Sequence, residues 1–106
     1  MKKDKLVAAC IESLVVCENA MVTLPKVKHQ RHPDIIKAFN EFADICMGLL
    51  VAIKARSVNV GKIALLYVGL AEECAELCVL SPLPSVKQGA ITFRNSVNVI
   101  GQLVSI

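Results

Sequence analysis

NVGKIALLYVGLAEECAELCVL, residues 59–80, is the stretch that decides the fold. Ile63, Tyr67, Leu70, Cys74, Leu77 and Cys78 recur at three- and four-residue spacing, the period of one face of an α-helix. Lys62, Glu72 and Glu76 oppose them, so the segment reads as an amphipathic helix. Asn59 stands where an N-cap is wanted, and the proline-rich Ser81-Pro82-Leu83-Pro84-Ser85 closes the run. Its apolar arc is wide. Leu65, Val68 and Val79 lie outside the main stripe, which predicts a second covered face, for instance a homo-oligomer contact through this third helix.

Working outward, Arg56-Ser57-Val58-Asn59 and Leu24-Pro25 through His32-Pro33 divide the rest of the chain. In the first segment Leu6, Cys10, Leu14, Cys17 and Met21 form a stripe opposed by Lys5, Glu12 and Asn19. In the second, Ile35, Phe39, Phe42, Cys46, Leu49 and Ile53 oppose Lys37, Asn40, Glu41 and Asp44, and Pro33 falls in a first turn, where proline is tolerated. The fourth sets Val86, Ala90, Phe93, Val97, Ile100 and Val104 against Gln88, Asn95 and Gln102. Its Ile91-Thr92-Phe93 and Val97-Asn98-Val99-Ile100 runs are β-branched enough to suit strands as well. Helices are expected over residues 4–23, 33–55, 59–80 and 85–104. Four amphipathic segments of matched length with short connections predict an all-α, antiparallel four-helix bundle, with residues 1–106 as one domain.

The length of 106 residues leaves no room for a second core. Hydrophobic residues make up 55% of the chain, which excludes a disordered tail, and aromatics only 4%, which disfavours a binder that stacks bases. A formal net charge of +3 is too modest to argue for a nucleic-acid partner. The uncharged apolar runs Ile45 to Ile53 and Ile63 to Ala71 are closed by charged residues, well short of the roughly 18 needed to span a bilayer. No membrane partner is therefore expected. The basic start, MKKDKLVAACIESLVV, has Glu12 inside its apolar stretch and no cleavage pattern, so a cytoplasmic location is expected.

Five cysteines, an odd number without an export signal, argue for reduced thiols rather than a disulfide framework. All five, Cys10, Cys17, Cys46, Cys74 and Cys78, lie on inward stripes. Cys74 and Cys78 are four apart, which puts their Cβ atoms roughly 6 Å from each other on one face. Such a soft thiolate pair suits Cu(I), which tolerates low coordination numbers, better than structural zinc, which wants four ligands. Cys10 and Cys17 sit two turns apart on one face, Cys46 centres its own stripe, and Met21 and Met47 add thioether sulfur. The competing expectation is that these thiols are small hydrophobes in an ordinary core. The fourth helix carries no cysteine, and Phe39, Phe42, Tyr67 and Phe93 fill positions that a dense metal core would need.

With Phe-Ala-Asp-Ile-Cys46 in the second helix, Leu-Ala-Glu-Glu-Cys74-Ala-Glu-Leu-Cys78 in the third, and Cys10 with Cys17 in the first, the chain resembles the cysteine-rich four-helix-bundle copper-storage and copper-binding proteins. Helices of that family carry inward cysteines at CxxxC-type spacing. The resemblance implies that Cys10, Cys17, Cys46, Cys74 and Cys78 hold Cu(I) as thiolates inside the bundle, with His or Met near the end where metal enters. With five cysteines and none in the fourth helix, it implies one or a few ions for sequestration or buffering. The alternative is a structural or interaction bundle without metal.

His29 and His32, in Lys-Val-Lys-His-Gln-Arg-His-Pro, are candidates for a metal access point or an anion contact; otherwise they belong to a solvated polar loop. Enzyme chemistry is not expected. No Glu-x-x-His pair exists for a di-iron site, no Gly-rich phosphate loop is present, and thiols facing a core have no neighbouring base.

Overall fold

Residues 2–104 are described by a computed structural model. Helix α1 spans Lys2–Thr23 and runs into a short 3₁₀ turn at Leu24–Lys26; α2 spans His32–Ala55, α3 Val60–Cys78 and α4 Pro84–Val104. The β-branched runs of the last segment are helical, because Val86, Ala90, Phe93 and Ile100 bury one face that a strand would have split between two sides. Each helix packs against its sequence neighbours and α1 closes on α4, while the diagonal pairs meet through core side chains and not through close backbone approach among the described residues. The result is an antiparallel four-helix bundle measuring 42 × 19 × 19 Å.

The turns explain where the helices stop. Pro33 sits in the first turn of α2, where the missing N–H is no loss. At its other end Arg56 adopts a left-handed conformation at φ 54°. Its N–H bonds to the Ile53 carbonyl, and the Ser57 N–H reaches back to Ala52 at 2.9 Å, so two terminal carbonyls of α2 are satisfied. Asn59 does precede α3, but its side chain makes no capping bond, a correction to the expected role. Ser57 takes the turn instead, its Oγ accepting from the Asn59 N–H at 3.1 Å.

The inward stripes form the core, with departures at their edges. Val104 is exposed, and Leu103 packs against the core in its place. Met47 is 47% exposed, so its thioether points away from the interior where the sequence suggested sulfur. Leu65 and Val79 on α3 are exposed and Val68 half-buried, so the wide arc of α3 is not covered within the bundle. By length and composition alone, the segment Lys3–Lys26 is long and apolar enough to cross a membrane, a test that core helices also pass. In this fold it buries Cys10, Ser13, Cys17 and Ala20 against its neighbours.

Candidate metal centre

Period and rotation bring every sequence-predicted ligand inside. Cys46, Cys74 and Cys78 are fully buried, and Cys10 and Cys17 are 1% exposed. All five are free thiols. They are near enough to feel one another's charge: Cys46 is coupled to Cys17, Cys10 and Cys74, and Cys17 to Cys78. Cys74 is coupled to both Cys17 and Cys78, so helices α1, α2 and α3 contribute to one continuous set. Among the described residues, however, no three His, Cys, Asp or Glu side chains gather tightly enough to hold a metal ion together. The thiols thus influence one another without forming a tight group of three among the described residues.

Burial dominates their chemistry. Loss of hydration pushes the Cys10 thiol up to about 11. Desolvation, reinforced by Cys78 and Glu18, pushes Cys17 up to about 12. Cys78 is also held at about 12 by burial, with Arg94 opposing the rise. Cys46 and Cys74 are likewise pushed up by burial and then by neighbouring thiols, with Glu73 and Glu41 adding to the rise at Cys74. Each thiol is therefore protonated at neutral pH and packs as a small apolar group. Cys74 Sγ donates weakly to the Ala38 carbonyl at 3.6 Å.

Aromatic rings fill the volume beside the thiols. Phe93 meets Phe39 and Phe42 edge-on at 5.4 and 5.2 Å between centroids, and Phe42 meets Tyr67 at 4.9 Å. Tyr67 is buried, and its hydroxyl donates to Ser13 Oγ at 2.8 Å with the Ala9 carbonyl nearby at 3.4 Å. Ser13 falls three residues after Cys10 and four before Cys17, so its place on the inward stripe was readable from spacing.

The histidines behave differently from either expectation. His32 is 2% exposed, so it does not belong to a solvated loop. Its Nδ1 donates to the Val27 carbonyl at 2.8 Å, and its Nε2 accepts from Ser81 Oγ at 3.0 Å, in the tautomer those partners require. Ser81 in turn accepts from the Leu83 N–H at 3.1 Å. His32 therefore ties the α1–α2 connection to the α3–α4 connection, and both ring nitrogens are engaged. His29 lies against it with the rings tilted by 39° and centroids 5.0 Å apart, and accepts from the Arg31 N–H through Nδ1. Nothing in the local sequence announced this bridge, because its partner lies 49 residues away.

No protein-family model and no curated protein matches this chain. Among solved structures its fold is similar to the Cu(I)-bound copper storage protein BsCsp3, with a TM-score of 0.90 over 98% of this chain and 99% of that one, at 18% sequence identity. The chain thus shares the four-helix-bundle fold of that protein, the architecture that its helical stripes suggested.

Proposed function

We propose that this bundle sequesters or buffers Cu(I) through its core thiolates, with Cys10, Cys17, Cys46, Cys74 and Cys78 as ligands and no catalytic role. The observation that carries the reading is that five reduced, buried thiols from three helices adjoin one another inside a fold shared with a Cu(I)-bound storage protein. The absence of a three-ligand group among the described residues favours low coordination: neighbouring thiols such as Cys17 and Cys78, or Cys10 and Cys46, suit an ion that accepts two soft donors. Each thiol gives up its proton as it captures copper, and the apolar wall excludes water from the bound ion. The capacity follows from the count of five, one or a few ions rather than a dense cluster.

Anaerobic titration of the reduced protein with Cu(I) against a competing chelator, with native mass spectrometry to count ions, tests this. Tight binding that vanishes when the thiols are alkylated is the expected result. Failure to hold copper against even a weak competitor refutes it. A second reading, a structural or interaction bundle whose cysteines are core packing, is favoured by the absence of a three-ligand group among the described residues. It would use the exposed Leu65, Leu66 and Val79 of α3 as a contact between copies, with the cytoplasm as the compartment that keeps the thiols reduced.

A further inference from the structure

All five glycines lie inside helices, and one of them, Gly89, is pressed against neighbouring side chains. Gly89 lies in the middle of α4, where glycine costs about 1 kcal/mol relative to alanine, and it is buried. A Cβ built there would come within 2.8 Å of Val16 Cγ1 on α1 and 3.7 Å of Cys78 Sγ on α3. The Val16 methyl and the Cys78 sulfur therefore pack against the same bare face of α4.

Val16 and Gly89 also form part of the wall of a groove of about 260 Å³ between α1 and α4, with Ala20 beside them and the polar Asn19, Gln88 and Thr92 along its sides. Behind that wall lies the Cys78 sulfur, covered at this point by one β-branched side chain and a residue with none. The end of the bundle beyond Cys78 is better closed: Ser81 is held by His32, and its N–H bonds to the Cys78 carbonyl. The family resemblance places metal access at a bundle end next to His or Met, but here both ring nitrogens of His32 are engaged.

We propose that the α1–α4 groove is the side door to the thiols, and that Cys78 is the sulfur a small soft thiophile reaches first, by displacement of the Val16 side chain beside Gly89. With the cargo taken as Cu(I), which rests on the function proposed above, the ion is handed inward from Cys78 to its neighbours Cys17 and Cys74. The rim is uncharged but polar, which suits a small neutral or weakly charged Cu(I) complex that gives up a ligand as the thiol releases its proton to water.

The test needs no copper. Reduced, folded protein is treated with N-ethylmaleimide, and the label at each cysteine is followed by mass spectrometry, with Cys46 in the same molecule reporting global opening. Cys78 should be labelled about tenfold or more ahead of Cys46 and Cys74, since local opening precedes global unfolding. Val16→Ala should widen that ratio. Asn19→Phe with Gln88→Phe, both at exposed positions, should roof the groove and bring the ratio to within about twofold of one. Labelling of all five thiols together, or a ratio that ignores the roof, overturns the proposal. In a copper experiment the roofed variant should take up Cu(I) more slowly at unchanged final affinity. A protein that binds no copper but keeps the labelling order would refute the copper assignment and leave the door standing.

Discussion

Raising the pH should unfold the reduced bundle in a range where most helical proteins persist. Burial lifts Cys10 from 9.0 to about 11 and Cys17 and Cys78 to about 12, and pushes Cys46 and Cys74 up as well. The unfolded chain loses its thiol protons near 9.0, whereas the folded chain keeps them, so in this window the folded state binds more protons. Stability is therefore complete below pH 9 and is lost as the pH climbs toward the folded values. Each pH unit above 9 costs about 1.4 kcal/mol per thiol. At a pH of about 10.5 one thiol accounts for about 2 kcal/mol and five together for about 10 kcal/mol. That is comparable with the whole stability of a chain this size, about 5–15 kcal/mol.

Thermal melts by far-UV circular dichroism, run anaerobically with reductant between about pH 8 and pH 10.5, measure the effect. The melting temperature should hold level to pH 9 and then fall steeply. Cys46→Ala, which removes one titrating thiol, should flatten the fall by about 1.4 kcal/mol per pH unit, whatever its effect at neutral pH. A melting temperature that stays level through pH 10.5, or an equally steep fall in the variant, would refute the claim that burial holds these thiols protonated.

Replacing Cys74 and Cys78 together with Ala should weaken Cu(I) binding and lower the ion count in a chelator competition, leaving what Cys10, Cys17 and Cys46 hold, with the far-UV spectrum close to that of the parent because each truncation removes a single sulfur. For a site of two thiols, apparent Cu(I) affinity should rise about a hundredfold per pH unit between pH 6 and 8, since two protons leave as the ion binds; a flat dependence would exclude buried protonated thiols as ligands. Tyr67→Phe leaves the buried Ser13 hydroxyl without its partner and should cost about 1–3 kcal/mol in urea unfolding. His32→Ala strands both the Val27 carbonyl and Ser81 and should cost about 3 kcal/mol, read in the same way.

The architecture was legible because four stripes at helical spacing, each ended by a proline-rich or polar break, leave few alternatives. The thiols' inward placement followed from the same stripes, since Cys46 shares its face with Phe39, Phe42 and Leu49. Rotation at the edges was not legible. Met47 sits one residue after Cys46, about 100° round the helix, and that angle turns its sulfur to solvent. The His32–Ser81 bridge and the Val16–Gly89 approach each join residues far apart in the chain, and no local pattern encodes such a meeting. Glycine inside a helix did not single out the second, because Gly48, Gly61, Gly69 and Gly101 are helical too and none of them faces a close side chain.

Why thiols stand where Leu or Val would pack follows from the two states a buried thiol can take. Protonated, Cys46 and Cys74 are small apolar groups, and the core they build needs no metal to hold together. Deprotonated and unpaired, they would be charges in an apolar interior, which burial resists strongly. A cation that replaces the proton removes that conflict, so the same burial that keeps the empty bundle folded makes a soft, singly charged ion the preferred substitute for the proton. Two thiolates around one Cu(I) leave one negative charge, whereas four around a divalent ion would need a tetrahedral group that the described residues do not gather. The aromatic set of Phe39, Phe42, Tyr67 and Phe93 then limits how many ions can follow, because it occupies the volume that further sulfur would need. On the proposed Cu(I) reading, stability without metal and low capacity with it would be two consequences of one packing arrangement, and a variant that trades Phe42 for Cys should raise the ion count only by lowering the melting temperature of the empty protein.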